Sequence, residues 1–172
     1  MNLFVTEVTA RLDASAEAIE ALVGNVGPEL AGFRPSPLKW SILEVLGHLR
    51  DEERRDFRVR IECMLNRPGE RWPAIDPEGW VREGRFNEHA LEELLADFME
   101  ERRKSLGWLS TLHDADWSAS YHHETLGDFT AASMLCAWAA HDLLHLRQIE
   151  GIMFAYLKQA AQPDRLDYAG QW

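Results

Sequence analysis

The sequence predicts an all-α fold: a four-helix bundle with a long loop between helices 2 and 3. Three observations carry that prediction. Four long stretches repeat apolar residues at helical spacing, Gly and Pro cluster between those stretches, and no alternating apolar run is bounded by hairpin turns. With 172 residues, 46% apolar and 27% charged, the chain has the make-up of an ordinary globular protein. At that length it can bury about two-thirds of its unfolded surface. No repeat, low-complexity segment or interdomain linker interrupts it, so one domain covering residues 1–172 is expected.

The first helix is expected over roughly Leu3 to Val23, stopped by Gly24 and Gly27-Pro28. The second begins at Ser41-Ile42-Leu43-Glu44, which has the form of a capping box, with Trp40 and Val45 placed to staple its entry. It continues to about Asn66, before Arg67-Pro68-Gly69. A loop of some twenty residues follows, carrying Trp72, Pro73, Pro77 and Trp80. The third helix spans about Asn87 to Leu112 and the fourth about Thr130 to Gln159. His122 and His123 fall in the loop before the fourth.

The fourth helix carries the most informative pattern. Met134, Trp138, His141, His145, Gln148 and Ile152 recur at spacings of 4, 3, 4, 3 and 4, the stripe that a helix turns toward a bundle core. His141 and His145 therefore point inward from one face, one turn apart. Two buried imidazoles are costly unless something satisfies their nitrogens, and a shared metal ion would do so. On the second helix His48 lies beside Val45 and Leu49, one turn before Glu52. Three imidazoles from two helices leave a coordination position open, as catalytic zinc sites do. Glu52, Gln148 and Asp142 are the candidate partners of those ligands, or proton acceptors beside them.

Other metal motifs fit less well. A zincin needs Glu directly after the first histidine, where this chain has Asp142. Carboxylate-bridged di-iron bundles need Glu three residues before a ligand histidine, and none of the seven histidines has one. Imidazoles suit zinc, nickel, copper and iron, with zinc and nickel foremost.

Charge and composition exclude several classes. Eighteen basic against twenty-nine acidic side chains give a net charge of -11, which repels a nucleic-acid backbone. The longest uncharged apolar run, Phe129 to Ala140, is too short to cross a bilayer. Met1-Asn2-Leu3-Phe4-Val5-Thr6-Glu7 has neither the basic start nor the apolar stretch of a secretory signal. Only Cys63 and Cys136 occur, each inside an expected helix, which points to buried free thiols and a reducing, cytoplasmic setting.

Four ordered stretches resemble the DinB-like (damage-inducible, YfiT-like) metal-binding four-helix bundles. Lys39-Trp40-Ser41 through His48-Leu49 is similar to that family's helix start and first ligand histidine. Trp80, Arg85-Phe86-Asn87 and Arg102-Arg103 resemble its second loop and third helix. Leu126-Gly127-Asp128-Phe129-Thr130 is similar to the turn into the last helix, and Ala140-His141-Asp142-Leu143-Leu144-His145 to its histidine-aspartate motif. The resemblance spans about residues 30 to 155. It implies a bundle of unusual connectivity, often a homodimer, that holds a divalent metal through positions 48, 141 and 145. It also implies a small-molecule reaction, either thiol transfer with a low-molecular-weight thiol or hydrolysis. The alternative is a non-catalytic metal-binding protein associated with stress or with a partner.

Remaining candidates carry a plainer reading. Trp80 and His123 could wall a substrate pocket, although packing of the loop for Trp80 and solvent exposure for His123 are the simpler roles. Arg102 and Arg103 could hold an anionic substrate, but a salt bridge on the helix surface is the simpler role. The terminal Leu166 to Trp172 ends on an aromatic suited to docking on the bundle or on a partner subunit.

Overall fold

The computed structural model describes residues 3–170 and 172; the expectation for the amino-terminal Met1 and Asn2, and for Gln171 near the other end, lies outside the described residues. Its long elements are α1 (Leu3–Val23), α3 (Ile42–Arg55) continued by α4 (Phe57–Asn66), α6 (Leu91–Leu109) and α7 (Ala131–Ala160). Short helices α2 (Pro28–Ala31) and α5 (Pro77–Gly84) lie in the connections. The bundle is confirmed as predicted, with α1 packed on α6 and α7, and the α3–α4 pair packed on the same two helices from the other side. Sequence neighbours α1 and α3 thus sit diagonally, and the chain crosses the bundle between them.

Local chemistry explains the start of α3. The Ser41 hydroxyl accepts from the Glu44 N–H at 3.2 Å, and the Glu44 carboxylate accepts from the Ser41 N–H at 2.9 Å, so the capping box closes. Arg34 donates to Glu44 through Nε at 2.9 Å and Nη2 at 2.5 Å, which fixes the approach of the chain through Trp40. Gly47 then lets the loop pack closely: a Cβ there would lie 2.3 Å from the Phe86 ring.

Three differences from the sequence expectation stand out. The second helix breaks at Asp56 (φ -121°, ψ -91°) instead of running through, with no Pro or Gly to mark the site. The expected loop contains α5, opened by an Asp76 side chain that accepts from Gly79 N–H and by Pro77 in the first turn, a start signal that was present in the sequence. Before α7, β1 (Ser120–His123) and β2 (Gly127–Thr130) pair antiparallel, Tyr121 opposite Phe129. Four-residue strands with two inward aromatics are too short to show periodicity. His122 and His123 therefore lie on a strand and not in a loop. Among the described residues no helix is long and apolar enough to cross a membrane.

The apolar core is divided. One cluster gathers Ile42, Leu46, Leu49, Phe98, Ile149 and Ile152; the other gathers Phe57, Ile61, Trp117, Met134, Leu135 and Trp138. Between them runs a layer of buried polar side chains: His48, Glu52, Glu53, Arg102, Asp142 and His145. Cys63 is buried, Cys136 is only half-buried, and both are free. Trp172 docks on the bundle, its ring stacked on Phe154 at 5.0 Å.

Candidate metal centre

The polar layer brings together the three histidines singled out in the sequence. His48 Nε2 lies 3.3 Å from His141 Nε2 and 3.1 Å from His145 Nε2, and the last two are 3.1 Å apart. Hydrogen bonds cannot satisfy this triangle. A neutral imidazole has one N–H, so at most one contact is served well by each donor while bare lone pairs still face one another. Nitrogens bound at about 2.0–2.1 Å in tetrahedral directions lie about 3.3–3.4 Å apart. The observed edges are close to that, so the residues fit a divalent cation.

Protonation agrees with that fit. Burial, then the neighbouring His145 and His141, push the His48 imidazole down to about 2. Burial, His145 and Arg102 push His141 down to about 3. His145 is lowered by burial, with Gln148 opposing. All three are therefore held as neutral bases, the form that binds metal.

Supporting contacts differ among the three. His145 Nδ1 is 2.8 Å from Gln148 Oε1. That oxygen only accepts, so Nδ1 carries the proton and Nε2 presents its lone pair to the centre. His48 Nδ1 stands 3.6 Å from Glu52 Oε1, one turn along α3, and both atoms are buried without a hydrogen bond. Burial and the adjacent Asp56 carboxyl raise the Glu52 carboxyl, with Arg60 opposing. Trp40 covers the site: its ring is 4.8 Å from the His48 ring and lies parallel to that of His145 at 6.4 Å. Phe57 backs His141 at 5.2 Å. His48 and His145 are 4% and 8% exposed, so the half-buried His141 offers the way in.

Other sequence candidates lie elsewhere. Asp142, considered as a partner of the ligands, turns away and grips Arg102 with both oxygens at 2.6 and 2.9 Å. Arg102 is not a surface salt bridge, as the sequence led us to expect. It is 1% exposed and also donates to Glu53 at 2.9 Å and to the Leu12 carbonyl at 2.6 Å. Arg103 does stay at the surface, paired with Glu100. Trp80 is half-buried beneath the Arg55 guanidinium at 5.1 Å. His123 lines a cleft formed by the loop and the hairpin, with no imidazole of the triangle among the cleft's residues. The residues that sequence reasoning missed are Trp40, read only as a staple, and Phe57; both adjoin ligand candidates, but apolar character carried no sign of that.

Comparison with known proteins follows the same lines. A family model described as the DinB superfamily matches residues 11–149. No curated protein sequence matches the chain. Among solved structures, YfiT from Bacillus subtilis, described as a probable metal-dependent hydrolase with an unusual four-helix bundle topology, superposes with a TM-score of 0.76. It is 17% identical, over 86% of this chain and 85% of that one. TT2238, described as a four-helix bundle protein, superposes with a TM-score of 0.58 at 23% identity, over 86% of this chain and 98% of that one. At such identities the likeness is one of fold.

Proposed function

The chain belongs to the DinB superfamily, and on that premise we propose that it is a divalent-metal-dependent enzyme acting on a small molecule, with His48, His141 and His145 as ligands. The observation that carries this reading is the triangle of Nε2 atoms at 3.1–3.3 Å, which no arrangement of protons satisfies. Zinc or nickel is the proposed ion. A cation held there supplies Lewis acidity toward a substrate oxygen or sulfur.

The chain's own residues do the rest. Gln148 fixes the tautomer and ring angle of His145. Glu52, whose carboxyl is raised by burial and by Asp56, holds a proton beside the outer nitrogen of His48 and is the group that can exchange one at this end of the site. Trp40 and Phe57 keep bulk water from the imidazoles, which strengthens every charge interaction between them. Three protein ligands are the number found in catalytic rather than structural zinc sites.

Hydrolysis is the proposed reaction, following the description of YfiT. Transfer to a low-molecular-weight thiol is the alternative acceptor chemistry for the same site. We further propose a single domain, a cytoplasmic homodimer, and no nucleic-acid partner. A non-catalytic metal-binding role is the second reading, favoured by the small exposure of His48 and His145. Elemental analysis of protein purified without added metal, followed by ester, amide and electrophile panels with and without thiol, separates these readings. Stoichiometric metal with turnover supports the enzyme; stoichiometric metal with none across all panels supports the second reading.

A further inference from the structure

A second cleft lies at the hairpin end of α7. It has a volume of about 770 Å³ and is bounded by the chain after α4 and by β1 with its turn. From Ala131, next to the hairpin, to His141 is ten residues of α7, or about 15 Å of helix. The cleft is therefore distinct from the histidine triangle.

Its chemistry runs against that of the whole chain, which carries a net charge of -11. Arg60 and Arg71 line it, with Glu124 as the lone acid. Arg60 lies over the Trp72 ring at 4.6 Å and pairs with Asp56. Arg71 is exposed and makes no ion pair or hydrogen bond among the described residues. Hydrogen-bond donors are also in surplus. His123 Nδ1 accepts from the Thr125 and Leu126 N–H groups, each at 3.3 Å, so the proton of the neutral ring sits on Nε2, which has no partner. The Tyr121 oxygen accepts from the Trp72 N–H at 3.3 Å, and its own hydrogen is uncommitted. Pro73, Ile75 and the stacked Trp72–Tyr121 pair, 3.9 Å between ring centroids, make the remaining wall apolar.

The geometry points to a binding site for a small oxyanion, a carboxylate or a phosphate monoester, carried on an apolar body. Such a ligand meets unpaired donors at its charged end and the aromatic wall at the other. Arg71, the lining arginine with no carboxylate paired to it among the described residues, supplies the charge that such an anion meets.

The test titrates the full-length protein with phenyl phosphate and with benzoate, followed by calorimetry or ligand-observed NMR. Saturable binding of at least one probe is expected, and the probe that binds tells phosphate from carboxylate. Arg71→Gln, an exposed change whose fold is to be checked by circular dichroism, should weaken binding about tenfold or more. His145→Ala, which removes a proposed metal ligand, should leave it unchanged. No binding in the millimolar range, equal binding by Arg71→Gln, or loss of binding in His145→Ala overturns the assignment. Only the last outcome places the probe at the histidines, so the result does not depend on whether the metal reading holds.

Discussion

Two buried polar groups share the waist of this bundle and are built in opposite ways. Neighbouring residues belong to each: His141 beside Asp142 on α7, and Glu52 beside Glu53 on α3. On one side Arg102 donates to Asp142, Glu53 and the Leu12 carbonyl, while the Trp138 indole also donates to Glu53 at 2.9 Å. On the other side three lone pairs face one another, and the outer nitrogens of His48 and His141 have no partner. One network pairs its cation with both carboxylates and leaves over only Glu53 Oε2; the other is complete only with something added. The difference separates what holds the helices in register from what the helices hold.

The largest expected effect breaks the closed network. Arg102→Met keeps much of the side-chain volume but leaves the Asp142 and Glu53 carboxyls buried without their cation. Removing one partner of a buried pair costs about 3–5 kcal/mol, and a urea unfolding curve should show a loss of that order. His145→Ala, one turn from Asp142, should cost much less, about 1–2 kcal/mol, because it relieves crowded lone pairs as it removes packing. Equal losses would mean that the two networks do not divide the work.

The second effect concerns the open network. Metal that binds only the folded protein stabilises it by about 2.7 kcal/mol at a free concentration one hundred times Kd. Zinc or nickel should therefore raise Tm in the wild type, and a chelator should reverse the rise. In His145→Ala the metal found by elemental analysis should fall from stoichiometric to trace, and the shift in Tm should vanish. Full metal retention in that variant would remove the proposed ligand set.

The two networks were not equally legible in the sequence. The seam from Met134 to Ile152 placed His141 and His145 inward because helical spacing alone decides which face a residue shares. His48 followed from Val45 and Leu49 around it. Arg102 was misread because its positions along α6 show a charged run, Glu100 to Lys104, and nothing local says which member turns inward. That depends on Asp142 and Glu53, forty and forty-nine residues away. The break at Asp56 was hidden for the same reason, since its side chain answers Arg60 and Glu52 instead of a backbone signal. The β1–β2 hairpin was missed because only Tyr121 and Phe129 mark its inner face, although Gly127 at φ +81° was a turn signal within reach.

The smallest effect sharpens the comparison at a single contact. Among the described residues Gln148 is the one side chain that fixes a tautomer in the open network, through its 2.8 Å contact with His145 Nδ1. In Gln148→Ala the His145 proton is free to move to Nε2, where it would block the lone pair that faces the centre. Stability should change by less than about 1 kcal/mol, because Gln148 is only half-buried. Metal stoichiometry should persist while affinity falls about 10- to 100-fold, the usual cost of losing such a partner. Competition with a chromophoric chelator measures this directly. Gln148→Glu, which keeps an acceptor at the same reach, should retain most of the affinity. If Gln148→Ala binds metal as tightly as the wild type, packing by Trp40 and Phe57 alone orients the imidazoles, and the open network depends on the apolar walls for its shape.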